Sequence, residues 1–206
     1  VLETVANAGI GPEVIRCDPA NHILITRYAG RTWTPAEAFA PANIDRVADL
    51  LWQLHGLRPP PGIHVVDLQS VVRGYLQTLD ERGASGMAGT NEFRQRAIQI
   101  AASLQSDANV CLCHNDVHAL NIVDSGGVDS GGVGNGTLRL IDWEYAGIGQ
   151  RLFDLASICV YHAYPREQRE QLLRRYARSR EVALWNRLEL CCWLFDYVRD
   201  LWTAVR

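Results

Sequence analysis

A chain of 206 residues, 48% apolar and 21% charged, is long enough for one well-buried domain and has the composition of an ordinary soluble globular protein. A formal net charge of −3 with no basic run argues against nucleic acid or an anionic membrane as the main partner. No apolar stretch approaches the ~20 residues that span a bilayer and no signal-peptide pattern opens the chain, so the expected location is cytoplasmic.

Val1, Leu2, Val5 and Ala8 share one helical face, and Gly9 and Gly11-Pro12 stop that helix. The helix has no start signal and the chain begins at Val rather than Met, so sequence upstream is expected to be missing. Asp18-Pro19-Ala20-Asn21 reads as a turn, Ile23-Leu24-Ile25 as a short strand, and Tyr28-Ala29-Gly30-Arg31 as a connector. Thr34-Pro35-Ala36-Glu37 is a capping box with Pro at the first helical position. Ile44, Val47, Ala48, Leu51 and Leu54 then recur at helical spacing, and Pro59-Pro60-Pro61-Gly62 closes that region. Further helices are expected at 68–79 and 92–104.

Val110-Cys111-Leu112-Cys113 is a short strand, and Ile122-Val123 with 138–141 reads as a hairpin pair. Between them Asp124-Ser125-Gly126-Gly127-Val128 repeats at once as Asp129-Ser130-Gly131-Gly132-Val133. Lacking any apolar pattern, the repeat is expected to be a flexible hairpin extension. It contains no G-x-G-x-x-G or Walker pattern and precedes no helix, so it is not read as a phosphate loop. From Gln150 onward the pattern is helical, with Leu152, Leu155, Ala156 and Cys159 on one face and further helices at 166–178 and 181–203. The class is α+β with helix dominant. Among the six cysteines there is no C-x-x-C and no Cys/His pair at zinc-finger spacing, so buried reduced thiols are expected rather than structural zinc.

The chemistry concentrates in His114-Asn115-Asp116-Val117-His118-Ala119-Leu120-Asn121 and in Leu140-Ile141-Asp142-Trp143-Glu144. A kinase catalytic loop reads His-Arg-Asp, four residues, Asn; the spacing here is the same and only the middle residue differs. Asp116 is placed to accept or orient the proton of an attacking alcohol, while Asn121 and Asp142 offer the hard oxygen ligands that suit Mg²⁺. Asp and Asn alone are common turn-formers. The preceding His, the flanking strand and the strand-terminal Ile-Asp favour the chemical reading.

These segments, with Trp143-Glu144-Tyr145-Ala146-Gly147 and Phe153-Asp154-Leu155-Ala156, resemble the signatures of the small-molecule branch of the protein-kinase-like fold: choline/ethanolamine kinases, bacterial thiamine kinases and aminoglycoside phosphotransferases. Ile141-Asp142-Trp143-Glu144-Tyr145 is closer to the choline and thiamine kinases than to the aminoglycoside enzymes. Asp116-Val117-His118-Ala119 leans towards thiamine kinases, and His114-Asn115-Asp116 towards choline kinases. The resemblance covers roughly residues 1–165 and is strongest from 111 to 156.

The resemblance implies a protein-kinase-like fold in which residues 31–206 form a mainly helical C-terminal lobe with the catalytic and substrate sites. Residues 1–30 would be the remnant of a truncated N-terminal nucleotide lobe and its hinge, with Thr26, Arg27 and Tyr28 facing adenine. It implies ATP and Mg²⁺ as cofactors, held with the help of Asn121 and Asp142, and Asp116 as catalytic base. His114 would brace the catalytic loop and Asp154 anchor it, while His118, Glu144 and Tyr145 would meet the acceptor. No strand Lys precedes the opening helix, and Glu3 lies too near the helix end to match its partner with assurance. A carboxylate beside aromatic rings suits a quaternary ammonium or thiazolium cation. Trp185, Trp193, Phe195, Tyr197 and Trp202 are candidates for completing such a cage, but at helical spacing they read first as core. The expected function is ATP-dependent phosphorylation of a small cationic alcohol: choline, ethanolamine or thiamine. The alternatives are an aminoglycoside-type phosphotransferase, or a truncated or degenerate relative that binds its ligand without activity. Oligomeric state is not legible.

Overall fold

The computed structural model describes residues 1–105, 110–126, 136–178 and 182–206. Most of the tandem Gly-rich repeat, from 127 to 133, and with it the expected flexible hairpin extension, lies outside the described residues.

The chain opens with α1 (Leu2–Asn7), whose Val5 is buried, and an antiparallel pair, β1 (Val14–Asp18) and β2 (Ile23–Thr26). Asp18 closes the turn between them by accepting the Asn21 N–H at 3.3 Å. β1 was not anticipated, because Val14-Ile15-Arg16-Cys17-Asp18 has no alternating pattern; the reason is that this two-stranded ribbon is largely exposed, with all of β2 at the surface. Residues 1–30 are nevertheless tied to the rest: Val5 and Ile10 join the main core, and the Leu140 N–H donates to Ile10 O at 2.7 Å.

The expected connector ends in a two-residue strand, β3 (Arg31–Thr32), which pairs with β5 (Ile122–Asp124); β5 in turn pairs with β6 (Leu138–Leu140). Gly30 makes this approach possible, since with φ at 128° any Cβ would sit 2.2 Å from the Asp124 carbonyl oxygen. A second antiparallel pair, β4 (Val110–Cys113) with β7 (Gly147–Gln150), brackets the key segment. β7 was missed because Gly-Ile-Gly-Gln carries almost no strand propensity; its partner β4 supplies the pairing.

The helices follow the periodicity. α2 (Pro35–Phe39) has the full capping box on Thr34 and Glu37, and α3 (Pro41–His55) buries Ile44, Val47, Ala48, Leu51 and Leu54 completely. Each larger side chain of that stripe contributes about 1.5–3 kcal/mol of burial. α4 (Leu68–Glu81) packs on α5 (Asn91–Gln105), α6 (Arg151–Tyr161) on α8 (Val182–Val205), and α3 on α7 (Arg166–Ala177). This one core holds the two short sheets whose ends carry the polar loop; among the described residues no helix is long and apolar enough to cross a membrane.

Candidate active site

The chain leaves β4 at Cys113 and must turn sharply, which it does at Asn115 with φ at 67°, a left-handed conformation Asn tolerates. Asp154, fully buried in the first turn of α6, holds that turn. Its Oδ2 accepts the His114 N–H at 2.9 Å and its Oδ1 the Asn115 N–H at 2.6 Å. His55, the last residue of α3, sits 3.0 Å from the same Oδ2 through Nε2. Ser157 adds a bond to Val117 O at 3.0 Å, and His162 Nε2 accepts the Ala119 N–H at 3.1 Å. The loop is therefore fixed from behind by α6.

Asp116 faces outward from this loop. Its Oδ1 accepts the Tyr161 hydroxyl at 3.0 Å, and its Oδ2 accepts Asn121 Nδ2 at 3.0 Å. His118 Nε2 lies 3.4 Å from Oδ2, while its Nδ1 accepts the Leu120 N–H, which leaves Nε2 as the protonated nitrogen facing the carboxylate. Burial pushes the Asp116 carboxyl upward, but the hydrogen bonds from His118 and Tyr161 outweigh it and hold the group below its ordinary value. Tyr161 moves the opposite way, raised by burial and then by the Asp116 charge. Asp116 is thus an ionised acceptor at neutral pH.

His114 links the loop to the second segment. Burial lowers its pKa, so the ring is neutral. Nδ1 accepts the Asp116 N–H at 3.3 Å and Nε2 donates to Ile141 O at 2.9 Å, with the ring packed against Trp143 at 4.6 Å. The Ile141 N–H returns a bond to Asn121 O at 3.0 Å. Asp142 follows at φ 65°, exposed. Both hydrogens of Asn121 Nδ2 go to Asp116, one to the carboxylate and one to the backbone oxygen at 2.9 Å, so Oδ1 is the atom left to act as a ligand.

Two hollows meet at this point. One, of about 660 Å³, is lined by Glu3, Thr26, Asp142 and Glu144 among others; the second, of about 290 Å³, by Asp116, His118, Glu144, Tyr145 and a ring of aromatics. Glu144 belongs to both walls. Of the three expected hinge residues, only Thr26 lines the hollow that carries Asp142. Arg27 and Tyr28 line a separate depression of about 210 Å³, with Arg27 paired to Glu13 at 2.6 Å and its N–H donated to Glu13 O. The β1–β2 pairing turns them away.

Of the tail aromatics, Phe195 and Trp202 line the second hollow. Trp193 and Tyr197 instead stack on each other and on Phe93, Tyr197 donates to Ala88 O, and Trp185 lies under Arg166. Sequence reading missed Tyr75, Phe153 and Tyr161 on the same walls. Tyr161 was findable: it lies seven residues after Asp154, two turns along one helix, and so on the same face.

Comparison with known proteins places these features. The model of the phosphotransferase enzyme family matches residues 1–191, beyond the limit near residue 165 expected from the motifs alone. Thiamine kinase of Escherichia coli K12 is 40% identical over 78 residues, which is 36% of this chain and 24% of that protein. A choline/ethanolamine kinase family protein from Mesorhizobium loti superposes with a TM-score of 0.79 at 24% identity, over 99% of this chain and 68% of that one. Choline kinase LicA from Streptococcus pneumoniae, also solved with AMP, gives a TM-score of 0.74 at 18% identity, over 99% and 69%. At these identities the structural matches show the fold, an α+β kinase-like one. The matched stretch spans about a quarter of the thiamine kinase.

Proposed function

The chain belongs to the phosphotransferase enzyme family, and we propose that it transfers the γ-phosphoryl group of ATP to the hydroxyl of a small cationic alcohol: choline, ethanolamine or thiamine. The observation that carries this reading is Glu144, which lines both the hollow holding Asp142 and the hollow holding Asp116. An acceptor lying against that wall presents its hydroxyl to Asp116 and its cation to Glu144 and the rings of Tyr75, Tyr145 and Phe195, while Arg199 and Arg206, on the same walls, already lie over the rings of Tyr161 and Trp202. The aromatic lining speaks for a compact cation over an aminoglycoside, which would call for a more acidic and less aromatic pocket.

The donor set fits Mg²⁺: one neutral amide oxygen at Asn121 and one exposed carboxylate at Asp142, both hard ligands that leave room for water and phosphate oxygens. When bound, the ion would neutralise charge on the phosphates. The protein's own work is positional. Asp116, ionised and pinned by Tyr161, His118 and Asn121, orients the attacking hydroxyl and takes its proton; His114 and Asp154 hold that geometry. Thr26 and Glu3 line the nucleotide side.

The alternative reading is ligand binding without phosphoryl transfer. One experiment separates the readings. ADP release is followed with choline, ethanolamine, thiamine and kanamycin, with acceptor binding read in parallel from tryptophan fluorescence. Turnover with a cationic alcohol supports the proposal; preference for kanamycin, or binding of the alcohols without ADP release, overturns it.

A further inference from the structure

On β4 and at the end of α3, the structure brings together three groups to which the proposed function gives no chemical part. Cys111 and Cys113 are two residues apart on one strand and so share a face, with their sulfurs 3.8 Å apart. His55 reaches the same point from the end of α3, its side chain only 4% exposed, and one ligand atom from each of the three lies within 4.8 Å of the others. We propose that His55, Cys111 and Cys113 form a zinc site.

The geometry fits the ion. Tetrahedral zinc with Zn–S bonds of about 2.3 Å separates its sulfurs by about 3.8 Å. The cross-strand neighbour of Cys111 is Gly149, which places no side chain over the pair. Both ring nitrogens of His55 are hydrogen-bonded, Nε2 to the Asp154 carboxylate at 3.0 Å and Nδ1 to the Tyr176 hydroxyl at 2.7 Å, so the ion would displace one partner and leave the other to orient the ring. Whichever nitrogen takes the ion, the other keeps a partner. Charge balances as well: two thiolates neutralise Zn²⁺, and two thiol protons leave to solvent on binding. Spacing in sequence could not reveal the cluster, because its third member stands far upstream on a different element. Asp154 joins the zinc ligand His55 to the amides of His114 and Asn115, which puts the ion one residue behind the catalytic loop.

The test titrates the reduced, metal-free chain with Co²⁺ in excess Mg²⁺, which occupies oxygen ligands but not thiolates. One equivalent of Co²⁺ should give a thiolate-to-cobalt charge-transfer band that Zn²⁺ abolishes. Cys111→Ser and Cys113→Ser should each remove the band, His55→Gln should weaken binding by at least about tenfold, and Cys192→Ser, altering a buried thiol elsewhere, should leave it intact. Circular dichroism checks folding; since Cys111 is half-exposed, its variant decides the matter if Cys113→Ser unfolds. Absence of the band in the wild type, or its survival in folded Cys111→Ser, overturns the site.

Discussion

Tyr161 donates its hydroxyl to Oδ1 of Asp116 at 3.0 Å, joining the end of α6 to a loop 45 residues earlier. The bond does two things. It fixes the carboxylate's rotation, and it helps hold the group ionised against its own burial. A hydrogen bond to a charged group is worth about 1.5–3 kcal/mol, and Tyr161 is partly exposed, so the lower figure applies. Tyr161→Phe should lower kcat by about tenfold and leave the KM for ATP unchanged. Steady-state kinetics on both substrates reads this directly, and a kcat equal to wild type would leave Tyr161 as wall lining only.

Asp116→Asn keeps the shape and removes the charge. The loop is held mainly through backbone groups by Asp154, Ser157 and His162, so the fold should survive. Loss of a positioned proton acceptor should cost about 10²–10⁴-fold in kcat. Wild-type turnover in a variant with unchanged far-UV circular dichroism would take Asp116 out of the assigned role.

Asp154 differs in kind, because it lines neither of these two hollows and serves the backbone. Asp154→Ala leaves the buried N–H groups of His114 and Asn115 without their acceptor, at about 1–3 kcal/mol each. Stability should fall by about 2–6 kcal/mol in urea unfolding, and Asp154→Asn, which keeps one carbonyl oxygen, should lose less. Equal losses in the two variants would show that the acceptors are not what matters.

The motif spacing made the closeness of Asp116 and Asn121 legible, because residues five apart on one tight loop stay within hydrogen-bond reach. Helices with strong apolar periodicity, α3 above all, were legible for the same reason that they are stable: one face is completely buried. What escaped was determined by partners distant in sequence. β7 is a strand only because β4 pairs with it; Arg27 and Tyr28 leave the cleft because β1, an unpatterned run, captures β2; Tyr161 reaches Asp116 only once α6 has packed behind the loop. The tail aromatics divide in the same way, since helical spacing cannot say which side of α8 meets a hollow and which meets Phe93.

Glu37 gives a pH signature separate from catalysis. The Arg31 guanidinium and then the Thr34 N–H, at 2.8 Å, hold its carboxyl at about 2. The folded value is depressed, so the stabilisation is fully present above the unfolded value near ~4.3 and is lost as pH falls through about 2. The pair lies at the surface, with Arg31 well exposed, so the contribution is discounted to about 1 kcal/mol. Urea unfolding of wild type and Glu37→Gln should differ by that amount at pH 7 and converge towards pH 2. A gap that stays constant with pH would assign the loss to packing.

Glu144 and Tyr75 separate the two hollows experimentally. Tyr75 lines only the acceptor hollow, whereas Glu144 lines both. If the shared wall holds the cation of the acceptor, Glu144→Ala should raise the KM for choline or thiamine by about tenfold, a difference near 1.4 kcal/mol. Its effect on kcat should be smaller, because the cation is bound in ground and transition states alike. Tyr75→Leu should raise the acceptor KM and leave that for ATP untouched. The ordering matters more than either size: were Tyr75→Leu to impair ATP and spare the acceptor, the assignment of the two hollows would have to be exchanged. An unchanged KM for every cationic alcohol in Glu144→Ala would remove the carboxylate from cation recognition and with it the main argument for that substrate class.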